Sequence, residues 1–406
     1  MTPKEQSFAG IDIGSTKVNI VVGVIEYPNT PSIVGVGTYP TSGIRKGVVI
    51  DVEETVSSIS SALELAERSA GVPITQASIN IDGSHVASLN SRGVIAVGRA
   101  DSEITFEDTV RAEEAAQAIS LPSNKEIIHV IPREYSVDSQ TGIKDPIGMS
   151  GVRLEVEAHI ITGSQPAIRN LLKCINQAGI SAENQIVTPL AAAKAMLSKR
   201  QKELGSVLVD IGGGTTGIAI FEEGNILYSA ILPIGSGHIT NDIAIGLRTS
   251  VDIAEKVKLK YGYASPQEIP EKEKIDLSEF GGEGMTFRRQ VAKIVEARLK
   301  EILDLVRDEL RRINKDGMLP GGVVITGGGA NMPGLAILAK HMLKLPCEIG
   351  EPKGIHGLID KVSGPEHATA LGLMLYSMDK QQTYGANDKL AKAFDGIKKL
   401  VKIFLP

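Results

Sequence analysis

Two glycine-rich turns, each headed by an aspartate at the end of an apolar run, lie about two hundred residues apart in this chain. The first is Gly10-Ile11-Asp12-Ile13-Gly14-Ser15-Thr16-Lys17 and the second is Asp210-Ile211-Gly212-Gly213-Gly214-Thr215-Thr216. Each precedes a second apolar run, so each reads as the turn of a β-hairpin. Glycines let backbone N–H groups approach a phosphate closely, and Ser or Thr hydroxyls add donors. An aspartate at a strand end suits Mg²⁺, which keeps much of its water and takes few protein ligands. One such turn alone is more often an ordinary tight turn. Two in matching context point to a pair of related α/β lobes that clamp the phosphates of a nucleotide. A third cluster, Ile325-Thr326-Gly327-Gly328-Gly329-Ala330-Asn331, follows the apolar run Gly322–Ile325 and offers bare backbone on which a purine ring can lie.

The 406 residues exceed what a single core holds, which leads to the expectation of two domains with inserts. A net charge of −5 and an aromatic content of 4 % argue against nucleic acid as a partner. Cys174 and Cys347 show no ligand spacing, so free thiols in a reducing compartment are expected. No signal peptide and no apolar run of spanning length is read, and a cytoplasmic location is expected.

Along the chain, Phe8–Val24 reads as a hairpin, Ile33–Tyr39 as a third strand, and Gly47–Ile50 as the start of a helix that continues from Asp51 to about Ser69. Val52, Val56, Ile59, Leu63 and Ala66 form its buried stripe. The strand Ser78–Ile81 ends at Asp82-Gly83. Between Ser84 and Thr162 the rhythm changes to short alternating strands (Gly93–Val97, Ile127–Ile131, Leu154–Ile161) around one helix, Thr105–Ala118, which reads as an α+β insert. Helix–strand alternation resumes at Ala167, the stretch Ile239–Asn314 reads as mostly helical, and its charged segment Pro266–Gly284 as a surface excursion. Ser377–Asp388 reads as a polar linker.

The tail is the second strong signal. On a helical wheel Leu390, Phe394, Ile397, Leu400, Val401, Phe404 and Leu405 share an apolar face, with Lys398 and Lys399 among the polar positions. Residues 388–406 carry a formal +3, leaving about −8 for the rest. A basic amphipathic helix on an acidic protein reads as an in-plane anchor on anionic lipid, with a helix docked on its own core as the alternative. One tail binds weakly, and several on one polymer bind firmly.

The phosphate hairpins and Ile325–Asn331 resemble the actin, Hsp70 and sugar-kinase superfamily. Gly43-Ile44-Arg45-Lys46-Gly47, His129-Val130-Ile131-Pro132-Arg133-Glu134-Tyr135, the stretch from Gly142 to Arg153 and the terminal helix make the chain similar to the FtsA family of bacterial cell-division proteins over nearly its whole length. The resemblance implies an actin-like two-lobed fold. Subdomain 1A would comprise 1–83, 163–206 and about 335–380. The insert, 84–162, would be subdomain 1C. Subdomain 2A would comprise 207–240 and about 315–334, and 2B would be 241–314. A linker, 377–388, and a membrane helix, 389–406, would follow. It implies ATP and Mg²⁺ as ligands, with Gly14, Ser15, Thr16 and Lys17 on one side of the phosphates and Gly212, Gly213, Gly214, Thr215 and Thr216 on the other. Asp12 and Asp210 would lie near Mg²⁺. Glu255 and Lys258 would contact ribose and adenine, Gly328, Gly329 and Met332 would flank the base, and Gly235 would open a helix near the phosphates. From spacing alone, Glu255 and Lys258 are equally well read as a solvated i, i+3 ion pair.

The resemblance further implies a membrane-bound, self-associating polymer at the division septum that tethers the tubulin-like FtsZ and recruits later division proteins through the insert. The FtsZ C-terminal peptide would meet Arg288, Arg289 and Arg298, where a solvated charged face is an equal alternative. Val187-Thr188-Pro189 stands where active relatives place a carboxylate or amide, so slow ATP turnover is expected. A small-molecule kinase and a pilus-assembly adaptor of the same superfamily are the competing readings. The first leaves the tail unexplained, and relatives of the second generally lack it.

Overall fold

The computed structural model describes residues 7–26, 30–98 and 102–386; the anchor helix expected at 389–406, with Leu390, Phe394, Ile397, Lys398, Lys399, Leu400, Val401, Phe404 and Leu405, lies outside the described residues. Two mixed sheets form the centres of two lobes. In the first the spatial order is 181–187, 76–81, 7–13, 17–26, 30–40 and 356–357. In the second it is 225–232, 216–222, 206–211, 323–326 and 347–349. The plan repeats: each phosphate turn joins an antiparallel pair, Ser7–Ile13 with Lys17–Glu26 and Ser206–Ile211 with Thr216–Glu222, and each first strand pairs in parallel on its other side. The run Ser206–Ile211 is buried at every position, as befits a central strand covered on both faces.

Local chemistry sets the element ends. The helix Val52–Ala70 starts where the Asp51 carboxylate accepts the Glu54 N–H at 3.0 Å and stops at Gly71 in the left-handed region. Its face of Ile59, Ala62 and Ala66 lies on the strand Thr30–Pro40, where a Cβ on Gly37 would sit 2.2 Å from the Ala62 carbonyl oxygen. The helix Arg288–Arg312 buries Val291, Val295, Leu299, Ile302, Val306 and Leu310 along one stripe. Each such side chain contributes about 1.5–3 kcal/mol of transfer free energy, enough to fix this face toward the second core.

The helices Thr188–Met196 and Ala368–Ala386 join the lobes. The former lies against the second sheet, with Pro189 on Gly217, and the latter against the first, with the Ala370 carbonyl on Gly10. They cross where a Cβ on Gly372 would stand 1.7 Å from the Ala191 carbonyl oxygen. The insert has its own four-stranded sheet, in the order 87–96, 153–164, 125–137 and 140–143, backed by the helix Phe106–Ala116.

Three expectations need correction. Gly47–Ile50 does not begin a helix: Lys46 and Gly47 both have positive φ and turn a small hairpin between Ile44–Arg45 and Val48–Val49. Ser377–Asp388 is not a linker over most of its length, because the helix Ala368–Ala386 runs through it; Met, Lys, Gln and Ala are good helix formers however polar, and Ser377 and Met378 are buried. Residues 335–349 do not join the first lobe, because Leu335, Ala339 and Leu343 pack in the second core and Cys347–Ile349 pairs with Val323–Thr326.

Candidate functional site

A cavity of about 600 Å³ opens between the lobes, lined by both phosphate turns, Glu255, Lys258, the 327–329 glycines and Met332. The turns face each other at contact distance. A Cβ on Gly213 would meet the Thr16 methyl at 2.4 Å and one on Gly214 the Ser15 hydroxyl at 2.7 Å, so only glycine fits on the second turn. Gly14 closes its turn through an N–H···O bond to Lys17 at 3.0 Å, and Gly212 does the same to Thr215 at 2.9 Å. The Gly47 N–H donates to the Ser15 hydroxyl at 3.0 Å, which ties the 44–49 hairpin to the cleft.

Three carboxylates converge here. Asp12 and Asp210 lie at the strand ends, as expected, and Asp82 joins them from the end of Gln76–Ile81. Burial pushes Asp210 up to about 8, with the Asp12 and Asp82 charges adding to it. Burial, then Asp82, pushes Asp12 up to about 7, and burial raises Asp82 as well. Asp82 accepts from the Thr215 hydroxyl at 2.7 Å across the cleft, while its other oxygen is buried without a partner. Asp12 accepts from Asn80 at 2.9 Å and Asp210 from Thr369 at 3.3 Å. A half-satisfied group of like charges is costly unless a cation neutralises it. Among the described residues no three such side chains lie close enough to enclose a metal. Oxygen donors of this kind, with the Asp82 oxygen unpartnered, are the type a hard cation such as Mg²⁺ takes alongside phosphate and water.

Other residues divide into those that face the cavity and those already engaged. Gly328 has open space where a side chain would be, and Gly329 packs onto Ile211. Lys258 is buried, with its ammonium 2.7 Å from Glu255 and 2.9 Å from the Thr240 hydroxyl; the Glu255 carboxylate is partly exposed, and both side chains of the i, i+3 pair line the cavity. Thr216 donates to the Ile234 carbonyl at 2.8 Å, inside the sheet and away from the cavity. The Gly235 N–H is held by His238 at 3.1 Å, and the next two N–H groups bond the Gly212 and Gly213 carbonyls, so this helix start braces the turn. Thr188 lines the cavity, but its hydroxyl donates to the Ile81 carbonyl at 3.2 Å and accepts from Asn80 at 3.2 Å, so both its hydrogen-bonding directions are engaged within the first lobe. Asp82 and Asn80 were not foreseen as site residues; the Asp-Gly at a strand end was the available clue.

Arg288, Arg289 and Arg298 all lie on Arg288–Arg312, but none presents a bare cation. Arg288 pairs with Glu273 at 2.9 Å and Arg289 with Glu271 at 2.5 Å, both from the 266–284 excursion. Arg298 makes a two-pronged bond to Asp242 at 2.6 and 2.8 Å.

With this geometry in hand, comparison with known proteins is specific. The family model described as Cell division protein FtsA matches residues 207–372, and that described as SHS2 domain inserted in FTSA matches 83–162. The chain is 38 % identical to the Cell division protein FtsA of Pseudomonas aeruginosa over 97 % of each chain. It is 40 % identical to that of Bacillus subtilis over 93 % of this chain and 85 % of the relative. Among solved structures, the chain superposes on one from the PilM-PilN type IV pilus biogenesis complex with a TM-score of 0.67 at 18 % identity, covering 91 % of this chain and 98 % of that one. MreB5 of Spiroplasma citri bound to AMPPNP gives 0.56 at 15 %, covering 95 % and 100 %. These two show the fold, which is actin-like. Taken with the paired aspartate-headed hairpins and the inserted sheet, the full-length identities leave one assignment: the chain belongs to the FtsA family of bacterial cell-division proteins.

Proposed function

We propose that this protein binds Mg²⁺ and ATP in the interlobe cleft, polymerises on the cytoplasmic face of the membrane, and tethers the FtsZ ring there while recruiting later division proteins. The observation that carries the nucleotide part is the group of buried carboxylates, one oxygen unpartnered, beside two glycine turns whose backbone admits a phosphate chain. Asp12, Asp82 and Asp210 would hold the cation through water and phosphate. Gly14 to Lys17 and Gly212 to Thr215 would hold the phosphates. Gly328 and Met332 would border the base. Bound Mg²⁺ would neutralise the phosphate charge against these carboxylates.

Turnover would be slow, because Thr188 holds the place beside the phosphates with both hydrogen-bonding directions already committed. ATP then acts mainly as a structural ligand that holds the lobes together. The membrane part rests on the basic amphipathic sequence 389–406, and the FtsZ part on the family and on the arginine-bearing helix, whose ion pairs an acidic peptide would have to exchange.

The test is co-sedimentation with anionic vesicles in Mg·ATP, comparing the full chain with one ending at Asp388. Pelleting of the full chain alone supports the anchor. If both remain in solution, the tail is a docked helix and the tether reading fails.

A further inference from the structure

The inserted sheet touches both lobes through polar groups, most of them partly buried and His159 with Ser229 fully so. His129, on the strand Lys125–Val137, accepts the Val187 backbone N–H at 3.2 Å, at the edge of the first lobe's sheet. His159, on the neighbouring strand Arg153–Ser164 and fully buried, meets the Ser229 hydroxyl at 2.9 Å, at the edge of the second lobe's sheet. Its Nδ1 faces the Asn90 side-chain amide oxygen Oδ1 at 2.8 Å, so Nδ1 carries the proton and the Ser229 hydroxyl donates to Nε2. Two more bonds hold the second lobe: Ser88 donates to the Ser229 carbonyl at 2.6 Å and Asn225 to the Arg133 carbonyl at 2.8 Å.

The first-lobe grip leads straight to the cleft. Val187 is followed by Thr188, whose hydroxyl accepts from Asn80 at 3.2 Å, and the same amide nitrogen donates to Asp12 at 2.9 Å. The lobes are drawn together in this arrangement, with Thr215 of the second bonded to Asp82 of the first at 2.7 Å.

We propose that the insert is a clasp across the back of the cleft: by holding Val187 through His129 and Ser229 through His159, it favours the closed arrangement of the two lobes, so seating of the insert and retention of nucleotide form one equilibrium. An opening that separated Val187 from Ser229 would strain the one sheet bonded to both. One grip would then break, leaving a buried histidine nitrogen or hydroxyl unpaired, which is a costly state. Coupling of this kind is reciprocal: what holds the insert down slows nucleotide release, and bound nucleotide holds the insert down. His129, His159 and Ser229 are positioning residues, since none lines the cavity.

The clasp rests on the nucleotide reading of the cleft, and its test separates the two. Hydrogen exchange of the wild-type full chain is measured with and without Mg·ATP, and nucleotide release is timed for the wild type, Ser229→Ala and Ser229→Thr. Protection of peptides in 125–137 and 225–232 together with the phosphate turns is expected. Release from Ser229→Ala should be about fivefold faster or more, and Ser229→Thr, which keeps the hydroxyl, should restore the wild-type rate. Protection of the phosphate turns alone, with equal release from all three proteins, overturns the clasp and leaves the nucleotide reading standing. Absence of protection anywhere overturns both.

Discussion

Replacing Asp210 by asparagine should stabilise the nucleotide-free protein. Asp210 is 7 % exposed and its carboxyl is raised from 3.8 to about 8, chiefly by burial and then by Asp12 and Asp82. A carboxyl with a raised folded-state pKa is no burden below its unfolded value, where it is protonated in both states. The burden grows as pH rises toward the folded value, because the unfolded chain ionises freely while the folded one resists. At pH 7 the interval is about 3 units, or roughly 4 kcal/mol as an upper bound at 1.36 kcal/mol per unit. Asp12 borders the open cleft, and the repulsion is shared among three groups, so removing one relieves part of the others' strain as well. About half, roughly 2 kcal/mol, is the working figure. For a cooperative unit of some two hundred residues that is about 5 °C in Tm. The assay is thermal unfolding without nucleotide or divalent cation at pH 8 and pH 5. Asp210→Asn should melt about 6 °C above wild type at pH 8, where the interval nears 4 units, with the gap shrinking to about 2 °C at pH 5, where it is about 1 unit. Mg·ATP should then stabilise wild type more than the variant. A variant that melts no higher at pH 8 would refute the claim that burial, with the neighbouring carboxylates adding to it, makes the ionised Asp210 costly in the empty cleft.

Two further outcomes follow from the packing and from the buried imidazole. Gly372→Ala places a methyl 1.7 Å from the Ala191 carbonyl, so the helices must part; a loss of about 1–3 kcal/mol is expected, after the roughly 1 kcal/mol that alanine gains in a helix. Urea midpoints check it, and a more stable variant would show that this crossing is loose. His159 is lowered from 6.5 to about 4, by burial first and then by Arg133 and His129. Its neutral form supports the fold fully above pH 6.5, and that support drains as pH falls toward 4. Between pH 7 and 5.5 wild type should therefore lose about 1.4 kcal/mol that His159→Gln does not, read from paired urea titrations; parallel losses would contradict it.

The phosphate turns were readable because a tight turn writes its requirements into adjacent residues: an aspartate, glycines and hydroxyls within seven positions. The helix Val52–Ala70 was readable through its stripe, of which Ile59 and Ala66 are buried and Val52, Val56 and Leu63 partly so. Asp82 was not, because the Asp-Gly that ends its strand marks only a turn, and its role depends on two other strands arriving beside it. The arginines of Arg288–Arg312 looked like a free cationic face, since Glu271, Glu273 and Asp242 are brought to them only by folding. The polar run after Ser377 misled in the opposite sense. Its hydrophilicity suggests looseness, yet its residues favour helix and its start is anchored in the first core.

At Gly372 the two interlobe helices touch backbone to backbone. Where side chains interdigitate, a helix contact has discrete seats, and moving between them means lifting ridges out of grooves. Here two backbones set the spacing of the lobes directly, so anything larger than hydrogen at residue 372 would push the helices, and with them the two halves of the cleft, apart.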